Sequence, residues 1–125
     1  MADTQRPSGP LVTTIYRVLW PDGRNATDEV QWPEEPTLAL IRALVEPLVG
    51  GDLEHVIILK PGTEARPEPA DMFVNENGHA LGLPRNDAAT RLYRAAWLNH
   101  HPETDPESLS FIVGPAIVFN RRVWT

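Results

Sequence analysis

Residues 36–59, PTLALIRALVEPLVGGDLEHVIIL, contain a helix pattern and a strand pattern in succession, separated by two glycines. Apolar residues recur every three or four positions in the first half, which predicts a helix over about 36–48 that ends at Gly50-Gly51. The nearly continuous apolar run in Leu53–Leu59 predicts a strand covered on both faces, which we expect in the centre of a sheet. The apolar helix positions are Leu38, Ile41, Val45 and Leu48.

The residues before this stretch predict a hairpin. Leu11 to Trp20 is rich in β-branched, aromatic and aliphatic residues, and Pro21-Asp22-Gly23 supplies turn chemistry. A short second strand over residues 30–32 is expected to stop at Pro33, because proline lacks the N–H that a continuing ladder requires. Residues 1–10 are polar and predict a flexible tail.

The residues just after Leu59 predict a loop and a second hairpin. Residues 60–70 hold three prolines and predict a stiff, extended surface loop. A short strand over residues 72–74 follows. Asn77-Gly78 is typical of a type I′ turn, with a return strand through Ala80-Leu81.

The C-terminal third predicts a second helix and a closing strand. The helix is expected over about residues 87–99, with Asn86 as its N-cap. Leu109 to Phe119 forms the closing strand, in which Gly114-Pro115 indicates a bulge or an edge position. The whole pattern predicts one small α+β domain over residues 11–125, with a mainly antiparallel or mixed sheet of five to six short strands and two helices.

Composition excludes several classes of function. The chain has 125 residues, no cysteine, and 17 acidic against 11 basic side chains, for a net charge of −6. The lack of cysteine removes disulfide, thiolate and cysteine-ligated metal chemistry. The acidic balance disfavours nucleic acid as a partner, because phosphate binding depends on Lys and Arg. We expect a cytoplasmic protein without a membrane segment or a cofactor, and no catalytic residue stands out.

Residues 75–90, NENGHALGLPRNDAAT, resemble an uncharacterised family of short proteins encoded by bacteria and phages, whose members look like NExGxxxGLPxNxxAT. Residues 44–54 and 112–118 are similar to that family's helix end, double glycine and closing strand, so that the resemblance covers about residues 40–120. It implies a phage, prophage or plasmid accessory gene and implies no particular activity.

The same segment is a candidate site for a small polar ligand. A helix start binds anions through its N–H groups, and a nearby carboxamide and carboxylate can orient a ligand. The favoured interpretation is structural, because turns, caps and bends use the same residues. A hydroxyl one turn into the helix is also expected to bond a backbone carbonyl rather than to act as a nucleophile. The candidate ligand-binding residues are Asn75, Glu76, Gly82, Asn86, Thr90 and Arg91.

Two further clusters are weighed against structural roles. His100-His101 with Glu103 and Asp105 lacks the spacing that places two ligands on one helix face, so no metal site is predicted. A basic patch would form if the last strand lay beside the second helix, although arginines paired with the surplus carboxylates are the favoured alternative. The arginines concerned are Arg91, Arg94, Arg121 and Arg122.

The C-terminal segment is the candidate interface. Phe119, Val123 and Trp124 are large apolar side chains beside a chain end, which suggests an exposed edge strand that pairs with a partner or with a second copy in a homodimer. The competing interpretation is that Trp124 folds back onto the core. The leading hypothesis is a non-enzymatic accessory or regulatory protein that binds an unknown protein partner. The alternatives are a small polar-ligand binder or minor enzyme using residues 75–91, and an acidic DNA mimic.

Overall fold

A computed structural model describes residues 9–124, and within them the chain forms five strands and two α-helices. The predicted α+β class is confirmed. Most of the predicted tail, residues 1–8, lies outside the described residues. The elements are β1 (Leu11–Leu19), β2 (Asn25–Pro33), α1 (Leu38–Val49), β3 (Leu53–Leu59), β4 (Pro69–Asn75), α2 (Asp87–His100) and β5 (Ala116–Phe119), with a 3₁₀ turn at Pro106–Ser108.

The five strands form one antiparallel sheet in the order β2-β1-β5-β4-β3. The last strand in the chain, β5, lies between β1 and β4 and joins the N-terminal hairpin to the β3–β4 pair. The outer strands are therefore β2 on one side and β3 on the other.

The two helices cover opposite faces of this sheet. Along β4, Phe73 packs in one cluster with Ile41 and Val45 of α1, whereas Met72 and its neighbours pack in a second cluster with Ala89 of α2. Successive side chains of a strand point to opposite faces, so the alternation assigns one helix to each face. The fold is a three-layer arrangement with the sheet in the middle.

Both helices begin and end close to the predicted residues. The hydroxyl of Thr37 accepts from the N–H of Leu40 at the start of α1, and Gly50 ends that helix with a φ of 81°. Asn86 caps α2 by accepting from the N–H of Ala89, as predicted. Capping and apolar spacing are local signals, so they are readable from the sequence.

The prediction of a brief second strand was wrong. β2 spans nine residues and pairs along the full length of β1, from Asn25 opposite Leu19 to Pro33 opposite Leu11. Most of its side chains are exposed, so it has no apolar alternation to reveal it. The predicted end at Pro33 is correct.

The expected positions of two strands in the sheet were also wrong. β3 was expected in the centre and is an edge strand, with Ile57 49% exposed. β5 was expected to carry a bulge or to lie at an edge, and it is central and buried throughout. Gly114-Pro115 precedes β5 instead of interrupting it. An apolar run reports how much of a strand is covered, and it does not report which strands lie beside it.

The predicted type I′ hairpin at Asn77-Gly78 is absent from the described structure. Neither residue has a positive φ, and residues 80–81 form a turn and no return strand. Gly78 is required for a different reason, because a Cβ there would lie 2.8 Å from Cγ2 of Val113. Close backbone approach, and not turn geometry, therefore explains this glycine. β4 itself is longer than predicted and takes in Pro69 and Ala70 from the predicted loop.

Candidate functional site

The first half of the predicted ligand motif lies at the end of β4, beside the end of α1. Asn75 is buried; its Nδ2 donates to the carbonyl of Val49 at 3.1 Å, and its Oδ1 accepts from the N–H of Asn77 at 2.8 Å. Glu76 is exposed and lines a shallow groove. Gly82 has a φ of 69°, which provides the predicted bend. Asn75 therefore fastens the helix end to the strand end.

The second half of the motif lies at the start of α2. Asn86 is fully buried, and its Nδ2 donates to the carbonyls of Leu19 and Gly114, each at 2.9 Å. The hydroxyl of Thr90 donates to the carbonyl of Asn86 at 2.7 Å and accepts from the N–H of Ile112 at 2.9 Å. These side chains tie α2 to the end of β1 and to the segment before β5.

The motif residues thus form two separate internal clusters. The best-formed cavities in the described part of the chain contain Glu76 and none of the other five candidates, and Arg91 is exposed on α2. The polar atoms of Asn75, Asn86 and Thr90 are engaged within the chain, which agrees with the structural interpretation. A ligand-binding role for the motif stays a prediction.

The residues of the predicted interface pack onto the monomer. Phe119 and Val123 are at most 2% exposed and belong to the cluster under α1. Trp124 is half-buried against the same cluster and stacks on the ring of His55, with centroids 5.1 Å apart. The premise of an exposed C-terminal edge strand is wrong, because β5 is central. The competing interpretation, in which Trp124 folds back, describes the structure.

A buried carboxylate holds this C-terminal segment in place. Asp71 of β4 is fully buried, and its Oδ2 accepts from the backbone N–H groups of Val123 and Trp124 at 2.6 and 2.8 Å. Its Oδ1 lies 2.6 Å from Nε2 of His55 and accepts from Nε of Arg122 at 2.8 Å. Four partners satisfy the carboxylate, so the cluster acts as an anchor.

The four arginines do not form one patch. Arg94 on α2 donates to the carbonyls of Leu109 and Ser110. Arg121 donates to the hydroxyl of Thr14 and to the carbonyls of Pro33 and Glu34, and burial lowers the pKa of its guanidinium. Thr14 lies on the α1 face of β1, since it alternates in phase with Tyr16. Arg121 and Arg94 therefore lie on opposite sides of the sheet.

The edge of β3 presents unpaired backbone groups. Just beyond its two ends, the N–H of Lys60 donates to the carbonyl of Glu68, and the N–H of Glu76 donates to the carbonyl of Asp52. The backbone N–H and C=O groups of the even-numbered residues of β3 therefore point toward β4. Bonded pairs alternate in an antiparallel ladder, so the odd-numbered residues direct their N–H and C=O groups away from β4. The N–H of Leu53 meets Oε2 of Glu46 at 3.4 Å. Among residues 9–124, no partner strand or hydrogen bond covers the outward groups of His55, Ile57 and Leu59.

An apolar groove lies beside this free edge. It runs between β3 and the C-terminal half of α2. Ile57 and Trp97 are among its lining residues and are 49% and 41% exposed. The ring of His101 stacks against Trp97, with centroids 4.6 Å apart. The remaining lining residues are Tyr93, Ala96 and His100.

Sequence reasoning missed this surface. Ile57 was expected in a central strand, and Trp97 was not among the predicted site residues. Helical spacing places Trp97 on the apolar face of the second helix. The only further signal for an exposed surface was that this apolar stripe extends to the end of the helix. That signal does not show that the neighbouring strand is the last in the sheet.

Comparisons with protein-family models, with curated proteins and with solved structures gave no significant match. The structure itself adds two findings. Within residues 9–124 no helix is long and apolar enough to cross a membrane. In that same part of the chain, no three His, Asp or Glu side chains converge into a group that would hold a metal ion.

Proposed function

We propose that this protein is a non-enzymatic accessory protein that binds another protein, and that the partner adds an extended segment to the free edge of β3. The observation that carries this proposal is the row of outward N–H and C=O groups at His55, Ile57 and Leu59 beside an exposed apolar groove. Strand addition takes its affinity from backbone hydrogen bonds and its specificity from side-chain pockets next to the edge.

The chemistry of the groove defines the partner segment. The two sheet edges differ, since β2 presents mostly polar, exposed side chains and β3 borders the apolar groove that Trp97 lines. Long apolar edges are usually protected by charge, proline or cover, because they invite pairing. An extended segment with apolar side chains at alternate positions would therefore fit β3 better than β2.

The setting of this function rests on the resemblance of residues 75–90 to short phage and bacterial proteins. We place the protein in the bacterial cytoplasm as a product of a phage or mobile element. A second copy of this chain, and DNA-binding proteins recognised by an acidic DNA mimic, are the competing partners.

Capture from a host lysate with strand-specific variants tests the proposal. The bait is the full chain, and the two test variants are Ile57→Pro and Trp97→Ala. Proline at position 57 removes an outward N–H without removing a bond to β4, and proline is tolerated at such edge positions. We expect the unmodified chain to retain a partner that both variants lose by about tenfold or more, which corresponds to at least about 1.4 kcal/mol of binding free energy.

Two matched controls accompany these variants. Glu29→Pro places the same ring at an outward-facing position of β2, and Leu81→Ala removes an apolar side chain that is 63% exposed elsewhere. Both controls should retain the partner. Equal retention by Ile57→Pro and Glu29→Pro, or capture of the same chain alone, would contradict the proposed partner edge.

A further inference from the structure

A second cavity lies on the α2 face of the N-terminal hairpin. It has a volume of about 160 Å³, and its lining is mainly apolar. Ile15 and Leu19 of β1 and Val118 of β5 supply part of the wall, and Leu92 of α2 and Pro61 supply another part. A dry apolar cavity of about 150 Å³ is large enough to hold a benzene ring.

Two cations flank this apolar space. Arg17 and Lys60 both line the cavity, and no Asp or Glu is among its lining residues. Within residues 9–124 neither cation forms an ion pair with a carboxylate. In a chain of net charge −6, a local pair of cations beside an apolar pocket favours an anionic group on the occupant.

We infer that this cavity binds a small carboxylate with a ring-sized apolar body. The carboxylate lies between Arg17 and Lys60, and the apolar body fills the space between Leu19 and Leu92. This site is separate from the edge of β3 and does not depend on the proposed partner.

Titration with three related compounds tests the site by NMR of the full chain. Benzoate carries the carboxylate and the ring, acetate lacks the ring, and phenol lacks the carboxylate. We expect saturable shifts of the Leu92 and Val118 signals, with a Kd for benzoate of about 1 mM or below. Acetate and phenol should each bind about threefold to fivefold more weakly.

A pair of loop variants separates this site from general attraction of anions. Lys60→Gln removes a lining cation, whereas Arg66→Gln removes an exposed cation from the same loop that does not line the cavity. We expect Lys60→Gln to raise the Kd about threefold to fivefold and Arg66→Gln to leave it unchanged. Equal changes in Kd for the two variants, or no saturation by any of the three compounds up to about 20 mM, would overturn the inference.

Discussion

Asn86 shows how one side chain fulfils a local and a long-range role. Its Oδ1 caps α2, and its Nδ2 bonds the carbonyls of Leu19 and Gly114, which come from distant parts of the chain. The cap was predictable because it depends on residues 86–89 alone. The two carbonyl contacts were not, because they depend on the packing of β1 and of the segment before β5 against the helix start.

Asn86→Ala should therefore cost more than the loss of an ordinary cap. We expect a loss of about 2–4 kcal/mol of unfolding free energy, because the substitution removes the cap and leaves two buried carbonyls without this donor. Thr37→Ala is the matched control, since Thr37 caps α1 at an exposed position and should cost about 1 kcal/mol. Urea melts of both variants measure the difference. Equal costs would show that the buried contacts contribute nothing.

The environment of Tyr16 predicts that the unfolding free energy falls in alkaline solution. Burial, and then the negative charge of Asp28 opposite it on β2, raise the pKa of its phenol. Below about pH 10 both the folded and the unfolded chain keep the proton, so the contribution to stability is complete. As the pH rises above about 10, the unfolded chain loses its proton first, and unfolding becomes more favourable.

Tyr16→Phe isolates this effect. The variant has no phenol to titrate, so its unfolding free energy relative to the original chain should be constant up to about pH 9 and should rise above about pH 10. Chemical melts at a series of pH values measure it. A difference that stays flat through pH 11 would mean that Tyr16 titrates equally in both states.

Among the elements, the helices were predictable and the order of the strands was not. The spacing of Ile41 and Val45 and the caps at each helix start are local features of the sequence. The polar strand β2 carried no apolar alternation, and the apolar run in β3 belonged to an edge strand covered mainly on one side by α2. Strand order depends on which hydrogen-bonding edges meet, and residue patterns do not encode that directly.

The C-terminal segment behaves as a docked element of the monomer. Trp124 packs on His55 and is tied to Asp71 through its backbone N–H. Trp124→Ala should lower the unfolding free energy by about 2 kcal/mol, because it removes a half-buried aromatic contact. Light scattering should give the same molar mass for this variant and the original chain. A smaller molar mass for the variant would show that Trp124 contributes to self-association.

At the scale of the whole molecule, the two edges of the sheet differ in polarity. One edge, β2, is polar along most of its length, and the other, β3, is apolar and borders the groove at Trp97. The proposed binding function depends on the second edge being open to solvent in the isolated protein. The alternation of bonded and outward amides along β3 makes this directly measurable.

Amide hydrogen exchange of the isolated chain, followed residue by residue at two protein concentrations, is the most direct test. We predict that the amides of Glu54, Val56 and Ile58, which face β4, exchange at least about 100-fold more slowly than those of His55, Ile57 and Leu59. The alternation should persist at both concentrations. Protection of His55, Ile57 and Leu59 equal to that of their neighbours in the dilute protein would show that the edge is already covered and would contradict the proposed mode of binding.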